Sequence, residues 1–219
     1  MNPNLSELVL IIDRSGSMES CRVEAENGIN HFIAEQQKQP GAANLTLVQF
    51  DTVYEFLHKG TPIQYVGSFT LQPRGMTALL DAVGRTITET GQRLAALPED
   101  QRPGLVTVLI VTDGHENASC EFSAAHVKTM IEHQRDKYQW KFNFLGAGED
   151  ALTQAAGMGI QRDSAAVYNT QNVGSVVQSM SAKMSAARSA TAQCLSASEV
   201  DQSLSYNASD RAQYTAGGK

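Results

Sequence analysis

The sequence has few cysteines: Cys21, Cys120 and Cys194 are the only ones among its 219 residues. Their number is odd and none stands in a Cys-x-x-Cys pattern, so we expect free thiols in a reducing compartment. The first four residues carry no basic side chain, and the apolar run 8–12 is too short for a signal peptide or a membrane span. The sequence therefore predicts a cytoplasmic protein.

Positive charge is also scarce. The chain has 17 Lys and Arg against 23 Asp and Glu, a net charge of −6, and it contains no block of basic residues. This balance argues against a nucleic-acid or anionic-membrane partner. The pattern Gly-x-x-x-x-Gly-Lys-Ser/Thr is absent as well, which excludes a Walker-type nucleotide site.

The length and the 42% hydrophobic content suit one α/β domain, which we assign to residues 1–192. Residues 193–219 are rich in Ser, Ala, Gln and Asn and are expected to form a polar tail. Within the domain, apolar runs alternate with segments of helical periodicity, as in a doubly wound, mostly parallel sheet with helices on both faces. Residues 53–59 alternate after a short turn, which predicts one antiparallel edge strand. The predicted strands are 8–13, 44–51, 53–59, 105–111, 140–145 and 165–168, and the predicted helices are 19–37, 77–97, 123–138, a short helix ending near residue 156, and 172–192.

Two of the buried strands end in a carboxylate. Asp13 follows the first and is itself followed by Ser15 and Ser17, while Asp113 ends a later strand and Thr77 opens a helix between them. Ligands of doubly wound sheets bind at the carboxyl ends of the strands, where the strand order reverses. Carboxylate and hydroxyl oxygens suit a hard cation such as Mg²⁺ or Mn²⁺, and no His or Cys is among them to favour zinc or copper.

Three motifs occur in a particular order: Asp13-x-Ser15-x-Ser17, then Thr77 after Gly-Met, then Asp113 between Thr and Gly. This order resembles the von Willebrand factor A (vWA) domain with a complete metal-ion-dependent adhesion site, over roughly residues 5–190. The sequence is most similar to small, stand-alone intracellular members from bacteria or phages.

The resemblance implies a role for each residue of the site. Ser15 and Ser17 would bind the ion directly, and Thr77 and the two aspartates would exchange direct and water-bridged coordination. The last coordination position would accept an Asp or Glu from a partner protein. It further implies a binding module rather than an enzyme, whose partner could be an AAA+ ATPase or a component of a stress or phage system.

Other interpretations remain open at this stage. A metal-dependent phosphohydrolase could use Asp13 as nucleophile or metal ligand. The haloacid-dehalogenase-like phosphatases, which this sequence resembles only loosely, have a second aspartate at the position where this chain has Ser15. An assembly scaffold with a purely structural metal is a further alternative. Ser15, Ser17 and Thr77 could also be ordinary turn and helix-capping residues.

Neighbouring residues leave choices open too. His115 could contact a ligand or be an ordinary loop residue. Cys21 and Cys120 lie near the predicted site, and we interpret them as unpaired structural thiols rather than as part of it. Tyr65, Phe69 and Arg74 could line its rim or anchor their loop.

Overall fold

A computed structural model describes residues 1–216. This part of the chain contains six strands and seven α-helices. They are β1 (Asn2–Asp13), α1 (Arg22–Lys38), β2 (Ala42–Phe50), β3 (Tyr54–Pro62), α2 (Leu79–Ala95), β4 (Pro103–Thr112), α3 (Ala124–Tyr138), β5 (Lys141–Ala147), α4 (Ala151–Gly157), β6 (Ala165–Tyr168), α5 (Val173–Ala192), α6 (Ala197–Leu204) and α7 (Ala208–Thr215).

The strands form one sheet in the order β3-β2-β1-β4-β5-β6. All neighbouring pairs are parallel except β2 and β3, which are antiparallel at the sheet edge. The predicted doubly wound sheet with one antiparallel edge strand is confirmed. The strand order reverses between β1 and β4, so the carboxyl ends of these two strands flank the crevice where ligands of such folds bind.

The central strand β1 supplies both hydrophobic cores, because successive side chains of a strand point to opposite faces. Leu8, Leu10 and Ile12 belong to the core covered by α1, α5, α6 and α7. Val9 and Ile11 belong to the core beneath α2, α3 and α4. All five side chains are completely buried, which explains why this segment is apolar throughout rather than alternating.

Some predicted boundaries shift. The helix expected from residue 19 begins as a 3₁₀ segment, Gly16–Cys21, and becomes α-helical at Arg22. Thr77 does not open α2, which begins at Leu79 with Ala78 in the N-cap position. Among residues 1–216, none of the helices combines the length and apolar character that a membrane-spanning segment needs.

The expected polar tail is corrected for the described part, residues 193–216. Capping boxes begin both α6 and α7, where Ser196 and Asn207 each exchange hydrogen bonds with the acidic residue three positions later. Val200, Leu204, Tyr206 and Tyr214 are buried in the core beside α5. These four side chains are widely spaced, and they are the ones by which the segment packs against the core. The composition of the segment is therefore mostly polar, which is why it predicted a tail.

We expect Tyr214→Ala to lower the free energy of unfolding by about 3–5 kcal/mol, the usual range for removing a buried aromatic ring. The Tyr214 side chain is 1% exposed, and its hydroxyl donates to Ser179 Oγ at 2.7 Å. Tyr65→Ala is the matched control, because Tyr65 is 81% exposed and should change stability by no more than about 0.5 kcal/mol. Urea unfolding measures both values, and equal stabilities would show that the C-terminal helices contribute nothing to the core.

Candidate metal centre

The first part of the site is the turn that follows β1. Asp13 is completely buried, and its Oδ1 accepts a 2.6 Å hydrogen bond from the backbone N–H of Ser15. The hydroxyls of Ser15 and Ser17 lie 3.1 Å apart. The turn therefore directs one carboxylate and two hydroxyls to the same side.

The second part follows β4, the neighbour of β1. Thr112 Oγ1 donates to Asp13 Oδ2 at 2.5 Å, and Ser17 Oγ donates to Asp113 Oδ1 at 2.6 Å. These two bonds join the ends of the strands across the point where their order reverses. Thr112 was not among the predicted site residues, although its place beside Asp113 in the quoted motif could have identified it.

The third part is Thr77, which is 3% exposed. The hydroxyl of Thr77 lies close to Gly114. A side-chain carbon at position 114 would be 2.9 Å from Thr77 Oγ1, 3.4 Å from Ser17 Oγ and 3.7 Å from Asp13 Oδ2. Oxygens from the turn after β1 and from the segment before α2 thus surround one small space next to the loop after β4, and glycine at 114 leaves that space free of a side chain.

The five predicted residues therefore come together, and we call Asp13, Ser15, Ser17, Thr77 and Asp113 the five-oxygen site. Asp13, Ser15 and Thr77 form a buried floor. Ser17 is exposed and Asp113 is partly exposed, so one side of the site opens to solvent.

Burial makes the two carboxylates unusually weak acids. It raises the pKa of Asp13 to about 6, against the opposing effect of hydrogen bonds from Thr112 and Ser15, and the charge of Asp113 raises it slightly further. Burial likewise raises the pKa of Asp113, while the hydrogen bond from Ser17 lowers it. Within the described part of the chain, only hydroxyl and backbone groups hydrogen-bond to these carboxylates, so a cation between them would remove a large electrostatic cost.

The donor set fits a hard divalent cation, because two carboxylates balance its charge and all five donors are oxygen. No cluster of three or more His, Cys, Asp or Glu side chains suited to a metal occurs within residues 1–216. The five-oxygen site contains only two such residues, and hydroxyls supply the rest. Five side-chain donors also leave an octahedral ion with a position for a water or an external ligand.

A network beside the site went unnoticed in the sequence. Asp51, at the turn between β2 and β3, accepts hydrogen bonds from Arg14 Nε at 3.1 Å and from Arg74 Nε at 2.8 Å. Arg14 also donates to Glu55 Oε2 at 2.7 Å. Burial raises the pKa of Asp51, but hydrogen bonds from Arg74 and Val53 outweigh this effect, so the pKa lies below its ordinary value. The Arg14 guanidinium is thus paired with Asp51 and Glu55 rather than with a carboxylate of the five-oxygen site.

The simpler capping interpretations do not hold. Ser15 precedes the 3₁₀ segment without making a side-chain cap bond, and Thr77 lies one residue before the N-cap Ala78. Of the three predicted rim residues, only Arg74 adjoins the site. Phe69 is in the core, and Tyr65 lies beyond the far end of β3, a strand that starts next to Asp51.

The other residues near the site have ordinary environments. His115 is exposed. Cys21 is buried, and burial raises the pKa of its thiol to about 12, which makes it unreactive. None of the three cysteines forms a disulfide, as predicted.

Solved structures settle the fold. Residues covering 83% of this chain superpose on a von Willebrand factor type A protein from Catenulispora acidiphila, with a TM-score of 0.60 and 18% identity. The chain has the vWA fold. Two further structural neighbours are the manganese-loaded TRAP protein of Plasmodium vivax and the pilus adhesin SpaC of Lactobacillus rhamnosus GG. The TM-scores are 0.56 and 0.62, both at 14% identity, and the matches cover 80% and 84% of this chain.

This chain covers a different share of the length of each of these three structures. This chain spans 43% of the Catenulispora protein, 72% of the TRAP structure and 30% of the adhesin. No family profile and no curated protein matches the sequence. The likeness therefore concerns the fold, and what the five-oxygen site does must be argued from its own chemistry.

We expect Asp13→Asn to stabilise the metal-free protein at pH 8. The pKa of Asp13 is higher in the folded chain than in an unfolded one, so the ionised carboxylate destabilises the fold above pH 6, and this penalty disappears as the pH falls from about 6 to about 4. The difference between variant and wild type should be at most about 3 kcal/mol and should shrink over that range. Urea unfolding in EDTA at several pH values measures it, and a wild type that is the more stable protein at pH 8 would contradict it.

Proposed function

We propose that this chain is a metal-dependent protein-binding module with a complete metal-ion-dependent adhesion site. The five-oxygen site holds one Mg²⁺ or Mn²⁺, and the remaining coordination position accepts an Asp or Glu from a partner protein. The observation that carries the proposal is the space beside Gly114, where oxygens of Asp13, Ser17 and Thr77 meet with one side open to solvent. An open position on an oxygen-liganded ion is what an external carboxylate needs.

The charge of the chain supports a bridging ion. The protein carries a net charge of −6, so a partner that presents an acidic side chain would be repelled without a cation between the two surfaces. With only two carboxylates among its ligands, the ion keeps enough positive character to attract a third.

The form of the surface favours a protein partner over a small substrate. Cavities of 490 and 610 Å³ lie elsewhere, the first beside Trp140 and Asn143 and the second between α2 and α3. Neither includes a residue of the five-oxygen site, which lies at the end of the sheet. No observation favours the phosphohydrolase, since Ser15 occupies the place of its second aspartate and hydrogen-bonds through its backbone to Asp13.

Two neighbours of the same fold accord with this function. One was solved loaded with manganese and another is a pilus adhesin. For this chain we propose a cytoplasmic role, as the sequence suggests. AAA+ ATPases and components of stress or phage systems are the first partners to screen.

Addition of Mg²⁺ or Mn²⁺ to the purified protein should raise its melting temperature, because a ligand that binds only the folded state stabilises it. The gain should be about 2.7 kcal/mol at a hundred times the dissociation constant. Differential scanning fluorimetry in EDTA and in each metal measures the shift, and calorimetry gives the stoichiometry, expected to be one ion. An unchanged melting temperature, together with no heat of binding in the calorimetric titration, would show that the site binds no metal.

Thr77→Ala should fold, bind metal more weakly and lose the partner, since it removes one of the five side-chain oxygen donors that hold the ion. Thr52→Ala is the matched control, because Thr52 is an exposed threonine on the neighbouring turn outside the five-oxygen site. Pull-downs from the native host would compare the two variants with wild type, in Mg²⁺ and in EDTA. A partner that binds wild type and Thr77→Ala equally well in both buffers would favour the scaffold with a structural metal.

A further inference from the structure

Thr77 is held in place by a residue of a different loop. Its backbone N–H donates to Asn117 Oδ1 at 2.9 Å, and its backbone C=O accepts from the N–H of Asn117 at 3.0 Å. Asn117 lies four residues after Asp113, so one loop supplies a carboxylate of the five-oxygen site and also holds the residue that supplies a hydroxyl. Both backbone hydrogen-bonding groups of Thr77 are taken up by this single partner.

The same loop also caps the N-terminus of α2. Leu80 N–H donates to Glu116 Oε2 at 2.9 Å, and Asp81 N–H donates to Ser119 Oγ at 3.1 Å. These N–H groups lie in the first turn of the helix, where they have no partner within the helix. The methyl side chain of Ala78, in the N-cap position, has no oxygen that could accept a hydrogen bond from them. The caps that most helices carry in their own sequence therefore come here from the Asp113 loop.

Side chains of α2 in turn bind the Asp113 loop. The carboxylate of Asp81 accepts hydrogen bonds from the backbone N–H groups of Cys120, Glu121 and Phe122 at 2.8–2.9 Å. Arg85, one turn further along α2, pairs with Glu121. The Asp113 loop and the start of α2 are thus bound together in both directions.

The residues on either side of Thr77 are tied to a different part of the protein. Arg74 N–H donates to the C=O of Arg14 at 2.8 Å, and Ala78 N–H donates to the C=O of Asp51 at 3.2 Å. The Ala78 N–H belongs to the same peptide group as the Thr77 C=O, so Asp51 and Asn117 hold that peptide group from its two ends. The Thr77 N–H, in the preceding peptide group, has the Asn117 side chain as its hydrogen-bond partner.

We infer that Asn117 is a positioning residue, whose side-chain oxygen holds the Thr77 hydroxyl at the metal and links it to the Asp113 loop. The inference rests on the proposed metal site. Thr77 and Asp113 then form one unit that approaches the ion together, opposite the unit formed by Asp13, Ser15 and Ser17.

The experiment measures the Mn²⁺ dissociation constant of the full chain, from the electron paramagnetic resonance signal of free Mn²⁺. Asn117→Ala should weaken binding about tenfold, in line with the loss of other residues that orient metal ligands. Asn117→Asp should bind close to wild type, because it offers the same acceptor oxygen to Thr77 N–H. Asn117→Ser, with a shorter acceptor, should lie between them and provides a milder variant if Asn117→Ala does not fold.

Ser119→Ala is the matched control. It removes the hydrogen bond that Ser119 Oγ accepts from Asp81 N–H and the one that it donates to Glu116 Oε2, neither of which involves Thr77. We expect Ser119→Ala to bind Mn²⁺ nearly as tightly as wild type. An equal loss of affinity in Ser119→Ala and Asn117→Ala would show a general effect of the loop and overturn the inference.

A double-mutant cycle tests whether Asn117 acts through Thr77. In the Thr77→Ala background, Asn117→Ala should cause no further loss of Mn²⁺ affinity. A further tenfold loss there, or an Asn117→Ala single variant that binds like wild type, would overturn the inference while leaving the metal site intact. A wild-type protein that binds no Mn²⁺ would overturn both the proposed function and this inference.

Discussion

Three aspartates lie at the same end of the sheet, and their different electrostatic surroundings determine how this end of the protein is built. Asp51 is buried between the guanidinium groups of Arg14 and Arg74, so its charge is balanced within the chain. Among residues 1–216, Asp13 and Asp113 have no such partner and are satisfied only by hydroxyl and backbone donors. Burying a charge without a counter-charge is costly, and the elevated pKa values of these two carboxylates express that cost. The protein thus neutralises one acid internally and leaves two available for an external cation.

The paired and the unpaired acids depend on each other. Asp51 and its arginines hold together the turn after β1, the β2–β3 turn and the segment before Thr77. The Asp113 loop holds Thr77 from the other side through Asn117. An oxygen site built from loops needs such support, because ligands must be fixed by groups that do not themselves bind the ion. Here the support comes from two networks on opposite sides of Thr77.

Periodicity and strand-end chemistry predicted the doubly wound sheet, its antiparallel edge strand and the meeting of Asp13 with Asp113, because these follow from local pattern and from the geometry of parallel strands. The supporting contacts could not be predicted in this way. Asn117 and Thr77 are 40 residues apart, and an asparagine in a polar loop carries no signal of the backbone group that it will bind. The helices after residue 193 were missed for a related reason, since Val200, Leu204, Tyr206 and Tyr214 are too sparse to create a periodic pattern.

The position of α7 has a consequence for the order of folding. Tyr214 lies in the same core as Leu8, and Asn169, directly after β6, donates its N–H to the C=O of Tyr214 at 2.9 Å. A chain emerging from the ribosome therefore exposes part of the face beside α5 until the residues around 214 have been synthesised. Because proteins fold while their N-terminal parts emerge first, the sheet can assemble early, but this core closes only after the residues around 214 have emerged. Until then, the unfinished apolar face is open to chaperones.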